Sequence, residues 1–412
     1  MDMKKNILWN TIGSIFYSGC QWLISIVVVW MMSYETAGYL GLAMTTSSSF
    51  SAISLFNVRN FQVSDVKEEY NSRQYVGSRV LTCITAMFCC SVYAGLKNDR
   101  YQALCIDAFM VIRLVEALCD VLHGVNQKFD RYDYIGKSYI MRGAVTIVGF
   151  ILGLKITNDL LLSLVLVAFC NLLLAIGYDI FRTKSLENIK PEISKKTVEI
   201  LKVCAPLVIF SFLLSMENLI PKEVLKDVAG PDKLGIYTSM ASPTLVVQVF
   251  ATVVFNPLLP GVSRLYNEED YVGFRKMLHK LYAAFVGLSV IVTVGAILFG
   301  RIALKILFKE SILEYYDLFM PIVWCTILTA VIWVLSAVLV AMRKIGWILV
   351  GMLVNFVICI GSVRWWVDVY GMNGVSFVQI FTYGLYIVFM MVLCSIVLKR
   401  QINKKNEAEF SK

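Results

Sequence analysis

Charge is scarce in this chain, and histidine scarcer still. Asp, Glu, Lys and Arg make up 16% of the 412 residues, where soluble domains carry about 25%. That shortage excludes an ordinary solvated globular domain. The two histidines, His123 and His279, lie far apart, and the eleven cysteines have no ligand spacing. A metal centre is therefore not expected, nor any cofactor, and the cysteines read as small apolar fillers. No segment between apolar runs is long enough to form a catalytic domain. A Walker-type phosphate loop is missing, which removes ATP hydrolysis by the chain itself. No arginine ladder or selectivity-filter sequence points to a channel.

What remains is apolar: 58% of residues are hydrophobic, with a mean hydropathy of +0.70. Windows of about 20 apolar residues, enough to cross a bilayer as a helix, recur twelve times. They include 7–32, 36–58, 102–124, 198–221, 235–256 and 374–398. A spanning backbone must satisfy its own hydrogen bonds, and barrel strands would alternate in polarity, so these are helices. "YSGC" at 17–20 faintly resembles a lipoprotein cleavage site, but the apolar run continues to Met32, so the first span is expected to stay uncleaved. With the N-terminus inside, the inner segments hold 27 Lys and Arg and the outer ones 10, which predicts a multi-pass protein with both termini cytoplasmic. The net charge of +9 then reflects topology and lipid headgroup contact, and no nucleic-acid partner is expected.

The chain is written twice. "FNVRNFQVSDVKEEYNSRQYVGSR" at 56–79 and "FNPLLPGVSRLYNEEDYVGFR" at 255–275 share Phe-Asn, Val-Ser and Tyr-Val-Gly-x-Arg in the same order. Upstream, "ETAGYLGLAMT" matches "DKLGIYTSMAS", setting Gly38 against Gly235. The copies lie on the same predicted side after an even number of spans. The reading is an all-α membrane protein: twelve transmembrane helices in two six-helix bundles related by a parallel pseudo-two-fold repeat. Its parts are an N-terminal bundle at 1–181, a cytoplasmic linker at 182–197, a C-terminal bundle at 198–398 and a cytoplasmic tail at 399–412.

The fourth span, "MVIRLVEALCDVLHG", carries Arg113, Glu116, Asp120 and His123. At about 100° per residue these fall within an arc of roughly 80°. Ionisable groups in a span cost about 2.5 to 3.5 kcal/mol each, so the stripe must face protein or water. Arg113 can pair with Glu116, and Glu116 stands one turn from Asp120 as a like charge. Three readings stay open: ionic glue between helices, a water-lined cavity, or a proton- or cation-coupling site at Glu116 and Asp120. The equivalent tenth span has no ionisable group in its core.

In the seventh span, Pro206 and Pro221 are expected to kink or end the helix around Glu217 and Asn218. That pair reads as a hinge or cation site, or else as an interfacial carboxylate near Lys222. Arg59, Arg142, Lys202 and Arg264 sit at predicted inner ends of spans. They read as topology markers that reach headgroups, and would also suit a vestibule for an anionic lipid head, with Asn57 and Asn256 as matched hydrogen-bonding groups. The hydroxyls of Thr45, Thr46, Ser47, Ser48 and Ser49 favour close helix packing or a lining for sugar hydroxyls.

Residues 6–70, beginning "NILWNTIGSIFYSGCQWLISIVVVWMMSYETAGYLGLAMTTSSSF", resemble the N-terminal spans of bacterial polysaccharide flippases. These belong to the multidrug/oligosaccharidyl-lipid/polysaccharide exporter superfamily. "LGIYTSMASPTLVVQVFATVVFNPLLPGVSRLYNEED" within 232–275 is similar to the matching region of their second half. The resemblance implies two bundles around a cavity open alternately to cytoplasm and periplasm, in the bacterial inner membrane. The implied activity is non-enzymatic: flipping of undecaprenyl-diphosphate-linked oligosaccharide for O-antigen or capsule. Implied partners are that lipid-linked oligosaccharide, membrane lipids, a polysaccharide polymerase and chain-length proteins. The family fixes no charged cavity position that can be carried over. A drug or metabolite antiporter of the same superfamily is the alternative, and a membrane polymerase or acyltransferase the third reading.

Overall fold

Short polar punctuation decides where the helices begin. Ser33 caps α2 (Tyr34–Leu55) by accepting from the Thr36 N–H at 3.1 Å. Asn71 and Gln74 cap α4 (Ser72–Lys97) reciprocally, at 2.9 and 3.1 Å. Asp99 caps α5 (Arg100–Lys128), and Asp159 caps α7 (Leu160–Leu174). The computed structural model describes residues 3–65, 68–255 and 258–410.

The first of two compact units comprises residues 1–219 and 231–235. Besides those helices it holds α1 (Met3–Met31), α3 (Val58–Ser64), α6 (Tyr132–Thr157), a π-helical segment (Ala175–Ile180) and α8 (Phe181–Lys184). Helix α5 packs against α2, α3, α4 and α7, while α1 lies along α6. The two helices come close at Gly13 and Gly136, where a Cβ on either residue would collide with the other helix's backbone. Gly136→Val is expected to destabilise by about 1 to 3 kcal/mol or more, the usual cost of overpacking. Thermal unfolding in detergent checks this, and an unchanged midpoint would contradict it.

The second unit comprises residues 220–230 and 236–412. It contains α10 (Leu245–Phe255), α11 (Leu259–Asn267), α12 (Tyr271–Leu307), α13 (Phe319–Ala341), α14 (Ile345–Tyr370) and α15 (Met372–Phe410), with α15 packed on α13 and α14. Helix α9 (Lys195–Ala241) contributes residues to both units and leaves helical geometry at Gly230, where φ is 88°. Helical structure continues through Pro206 and Pro221, so neither ends the seventh span as anticipated. A proline inside a helix removes one backbone donor and crowds the carbonyl four residues back, which can bend a helix without ending it. The break falls where Gly230 can take a positive φ and Pro231 can open the next turn.

Among the described residues, nine helical segments are long and apolar enough to cross a membrane. The second and fourth spans are not among them, because α2 is rich in hydroxyls and α5 in charge. The seventh and eighth run together within 195–248.

The sequence repeat is also a repeat of local structure. In each copy a short helix, α3 or α11, leads to a glutamate with positive φ, Glu68 at 53° and Glu269 at 57°. A capping residue follows, Asn71 or Asp270, and then the helix bearing Tyr-Val-Gly-x-Arg. In the first copy, Asp65 accepts from the Tyr75 hydroxyl at 2.8 Å and from the N–H groups of Glu69 and Tyr70 at 3.1 and 3.2 Å. Burial pushes the Asp65 carboxyl up, but these bonds outweigh it and hold it below its ordinary value of 3.8. Its stabilisation is therefore complete above the unfolded value and is lost as pH falls through the lower folded one. Asp65→Asn should flatten the acid side of the unfolding profile; identical profiles would contradict this.

Candidate functional site

Helix α5 carries Arg113, Glu116, Asp120 and His123 on one face, and neighbouring helices supply partners to the last three. Glu116 receives the Arg113 guanidinium at 2.7 Å, the Tyr17 hydroxyl of α1, and Gln21 Nε2 at 3.3 Å. One turn on, Asp120 is shared between Arg59 of α3 at 3.3 Å and Arg79 of α4 at 2.9 Å. At the end of the stripe, His123 Nε2 lies 3.3 Å from Asp179 Oδ1, and the Cys119 thiol donates to Oδ2 at 3.4 Å. Tyr139 joins the nodes, edge-on to His123 and stacked on Tyr17.

Local backbone geometry places the partners. Phe56 and Asn57 both take left-handed conformations, φ 45° and 51°, so the chain turns sharply after α2 and α3 packs on α5. Arg59 thereby reaches Asp120 and also donates to Gln127 at 3.2 Å. Arg79, at the start of the third turn of α4, donates to the Ser54 carbonyl at 2.5 Å. Asp179 comes from the π-helical segment, whose wider turn re-aims side chains.

The site is wet on one side and dry on the other. Side chains of Arg59, Asp120, Arg113 and Glu116 keep about a fifth of their surface exposed, at 19 to 22%, whereas those of Arg79, His123 and Asp179 keep 0 to 1%. Arg142 of α6 is also buried, at 1%. Its Nε and Nη2 have no hydrogen-bond partner among the described residues, although the charges of Glu116 and Asp179 act on it. Four guanidinium groups thus meet three carboxylates, leaving two nitrogens of Arg142 and the single Nε of Arg79 and of Arg113 without a hydrogen-bond partner among the described residues.

The predicted candidates separate. Arg113, Glu116 and Asp120 share one face, but Glu116 is engaged by Arg113 and Asp120 by Arg59 and Arg79. Asn57 closes locally, accepting from Asn60 at 2.7 Å. Glu217 is fully buried on α9, with Asn218 exposed beside it. Asn256 lies outside the described residues. The hydroxyls of Thr45, Ser47 and Ser49 donate to carbonyls of their own helix at 2.8, 2.6 and 3.0 Å, which is the packing alternative. Ser49 also meets α9, donating to the Ser215 carbonyl at 3.1 Å.

Sequence reasoning missed Arg79, Asp179, Tyr17 and Gln21, and it read Arg59 and Arg142 as interfacial. The repeat held one signal: Arg79 matches Arg275, which is exposed. Only the first half supplies an acidic helix to receive the arginine. Among the described residues no group of three or more His, Cys, Asp or Glu could hold a metal.

No protein-family model matches the chain. It is 26% identical over 315 residues to a Staphylococcus aureus protein named capsular polysaccharide biosynthesis protein CapF, covering 75% of this chain and 78% of that one. An inward-facing multidrug resistance MATE family transporter of the MOP superfamily superimposes with a TM-score of 0.71 at 13% identity, over 96% of this chain and 99% of that one. An outward-facing conformation of such a transporter gives 0.64 at 12%, over 98% and 97%. A MOP superfamily transporter from Pyrococcus furiosus gives 0.62 at 13%, over 97% of both chains. The chain shares the fold of these transporters, all-α and multi-spanning, as the resemblance in residues 6–70 and 232–275 implied.

Proposed function

We propose that the chain flips a lipid-linked oligosaccharide, carried on undecaprenyl diphosphate, from the cytoplasmic to the periplasmic leaflet for surface polysaccharide assembly. Arg142 carries this reading. A buried guanidinium with two unsatisfied nitrogens is costly unless an anion completes it. The diphosphate of such a cargo offers oxygens in the planar, paired geometry that arginine recognises. The name of the Staphylococcus aureus relative supports a place in polysaccharide biosynthesis.

The carboxylates fit this role as competitors. Transport needs each state to differ in affinity for cargo. Glu116 holds Arg113 while the site is empty, and an arriving phosphate takes over that guanidinium, so binding is not so tight that release stalls. Glu116→Gln should therefore slow release: surface polysaccharide falls several-fold while the protein folds normally, because Arg113 keeps contact with water. Wild-type polysaccharide from this variant would contradict the competitor role.

Antiport of a small cation is the second reading, favoured by the multidrug transporters that share the fold. Glu116 would then bind the cation. Reconstitution separates the two: liposomes holding the purified chain and a fluorescent lipid-linked oligosaccharide should make the glycan accessible from the opposite leaflet faster than empty liposomes. Equal rates, with proton-driven dye uptake, would overturn flipping and establish antiport.

A further inference from the structure

Behind the polar stripe, on the other side of α5, lies an open groove of about 520 Å³. Its walls are Val80 of α4, Leu118 and Leu122 of α5, Leu172 of α7, and Ile176 and Ile180 of the π-helical segment. On a helix, Leu118 and Leu122 point roughly 140° to 180° away from Arg113. The groove is therefore separate from the arginine cluster. From Val115 to Leu122, both of which line it, it follows α5 for about 10 Å.

One end has a different chemistry. Lys184, at the end of α8, and Asn188 and Lys190 beyond it also line the groove. Both lysines are exposed, and neither is in an ion pair among the described residues. The acids of the same segment are turned away onto α4: Glu187 accepts from Ser72 at 2.6 Å, while Glu192 meets Arg73 at 3.4 Å and Gln74 at 3.3 Å. The result is an apolar trough with an unneutralised pair of ammonium groups at its rim.

We propose that this groove binds an anionic glycerophospholipid, with an acyl chain along α5 and the phosphate between Lys184 and Lys190. The site is distinct from the cargo site and does not depend on the identity of the cargo. Occupancy would bear on the polar network, because Cys119 lines the groove while its thiol donates to Asp179, and the segment that bears Asp179 forms part of the wall. A chain packed there supports the π-helical turn on which Asp179 stands.

The test is native mass spectrometry of the full chain, titrated separately with phosphatidylglycerol, phosphatidylcholine and a polyprenyl phosphate. Phosphatidylglycerol should form one saturable adduct, about tenfold or more tighter than phosphatidylcholine, as two lysines near an anionic headgroup warrant. The Lys184→Gln/Lys190→Gln pair should lower phosphatidylglycerol to the phosphatidylcholine level. Ile176→Trp, which fills the trough and leaves the lysines, should abolish the saturable adduct of either lipid. Equal binding of the two phospholipids to the wild-type chain, or phosphatidylglycerol binding unchanged in both variants, overturns the proposal. Displacement of phosphatidylglycerol by equimolar polyprenyl phosphate also overturns it, and assigns the groove to an isoprenoid tail.

Discussion

Arg142→Gln is expected to lower surface polysaccharide by tenfold or more while the chain still reaches the membrane folded. Its guanidinium is buried, and two of its nitrogens lack partners among the described residues. Arg142 forms no ion pair within 4.0 Å among the described residues, so its removal breaks none and should cost the fold less than breaking the Arg79–Asp120 pair. If the same guanidinium binds the cargo's phosphate, its loss removes a charge-assisted, paired hydrogen bond for which glutamine is no substitute. Complementation of a deletion strain, with membrane protein quantified alongside polysaccharide, reads both outcomes. Loss of folded protein in proportion to polysaccharide would make Arg142 structural.

The opposite signature is expected for Asp120→Asn. Arg79 is fully buried, and its charged partner is Asp120 at 2.9 Å, which Arg59 shares. Asparagine keeps an acceptor but leaves Arg79 as an uncompensated charge in a dry environment, a change that costs about 3 to 5 kcal/mol when one partner of a buried pair is removed. That is a large part of the stability of any domain. The variant should show a strongly lowered unfolding temperature and little folded protein. Adding Arg79→Met should recover part of the loss, since the two sites are coupled. Asp120→Asn protein that melts like the wild type would show that the pair does not hold α4 to α5.

The contrast between these arginines explains what the sequence made legible. Helix count, the repeat and the unequal charge of the halves follow from hydropathy and spacing, which depend on local composition alone. The stripe on α5 was legible because one helix carries all four residues at regular intervals. Its partners were not: Arg59, Arg79 and Arg142 stand near predicted span ends, where a basic residue ordinarily marks topology. Their burial is decided by tertiary packing. Arg79 and Arg275 occupy the same place in matched motifs, yet one is buried and the other exposed. Asp179 was hidden for another reason. It lies in a π-helical turn, and a period of 3.6 gives no warning of a residue re-aimed by a wider turn.

Flipping is tested most directly by following two pools in one strain that lacks the chain: completed oligosaccharide on its lipid carrier and polysaccharide at the surface. The account predicts that surface polysaccharide disappears while completed lipid-linked units accumulate on the cytoplasmic side, and that the wild-type chain restores both pools where Arg142→Gln does not. Unchanged surface polysaccharide, with no accumulation of lipid-linked units, would contradict it.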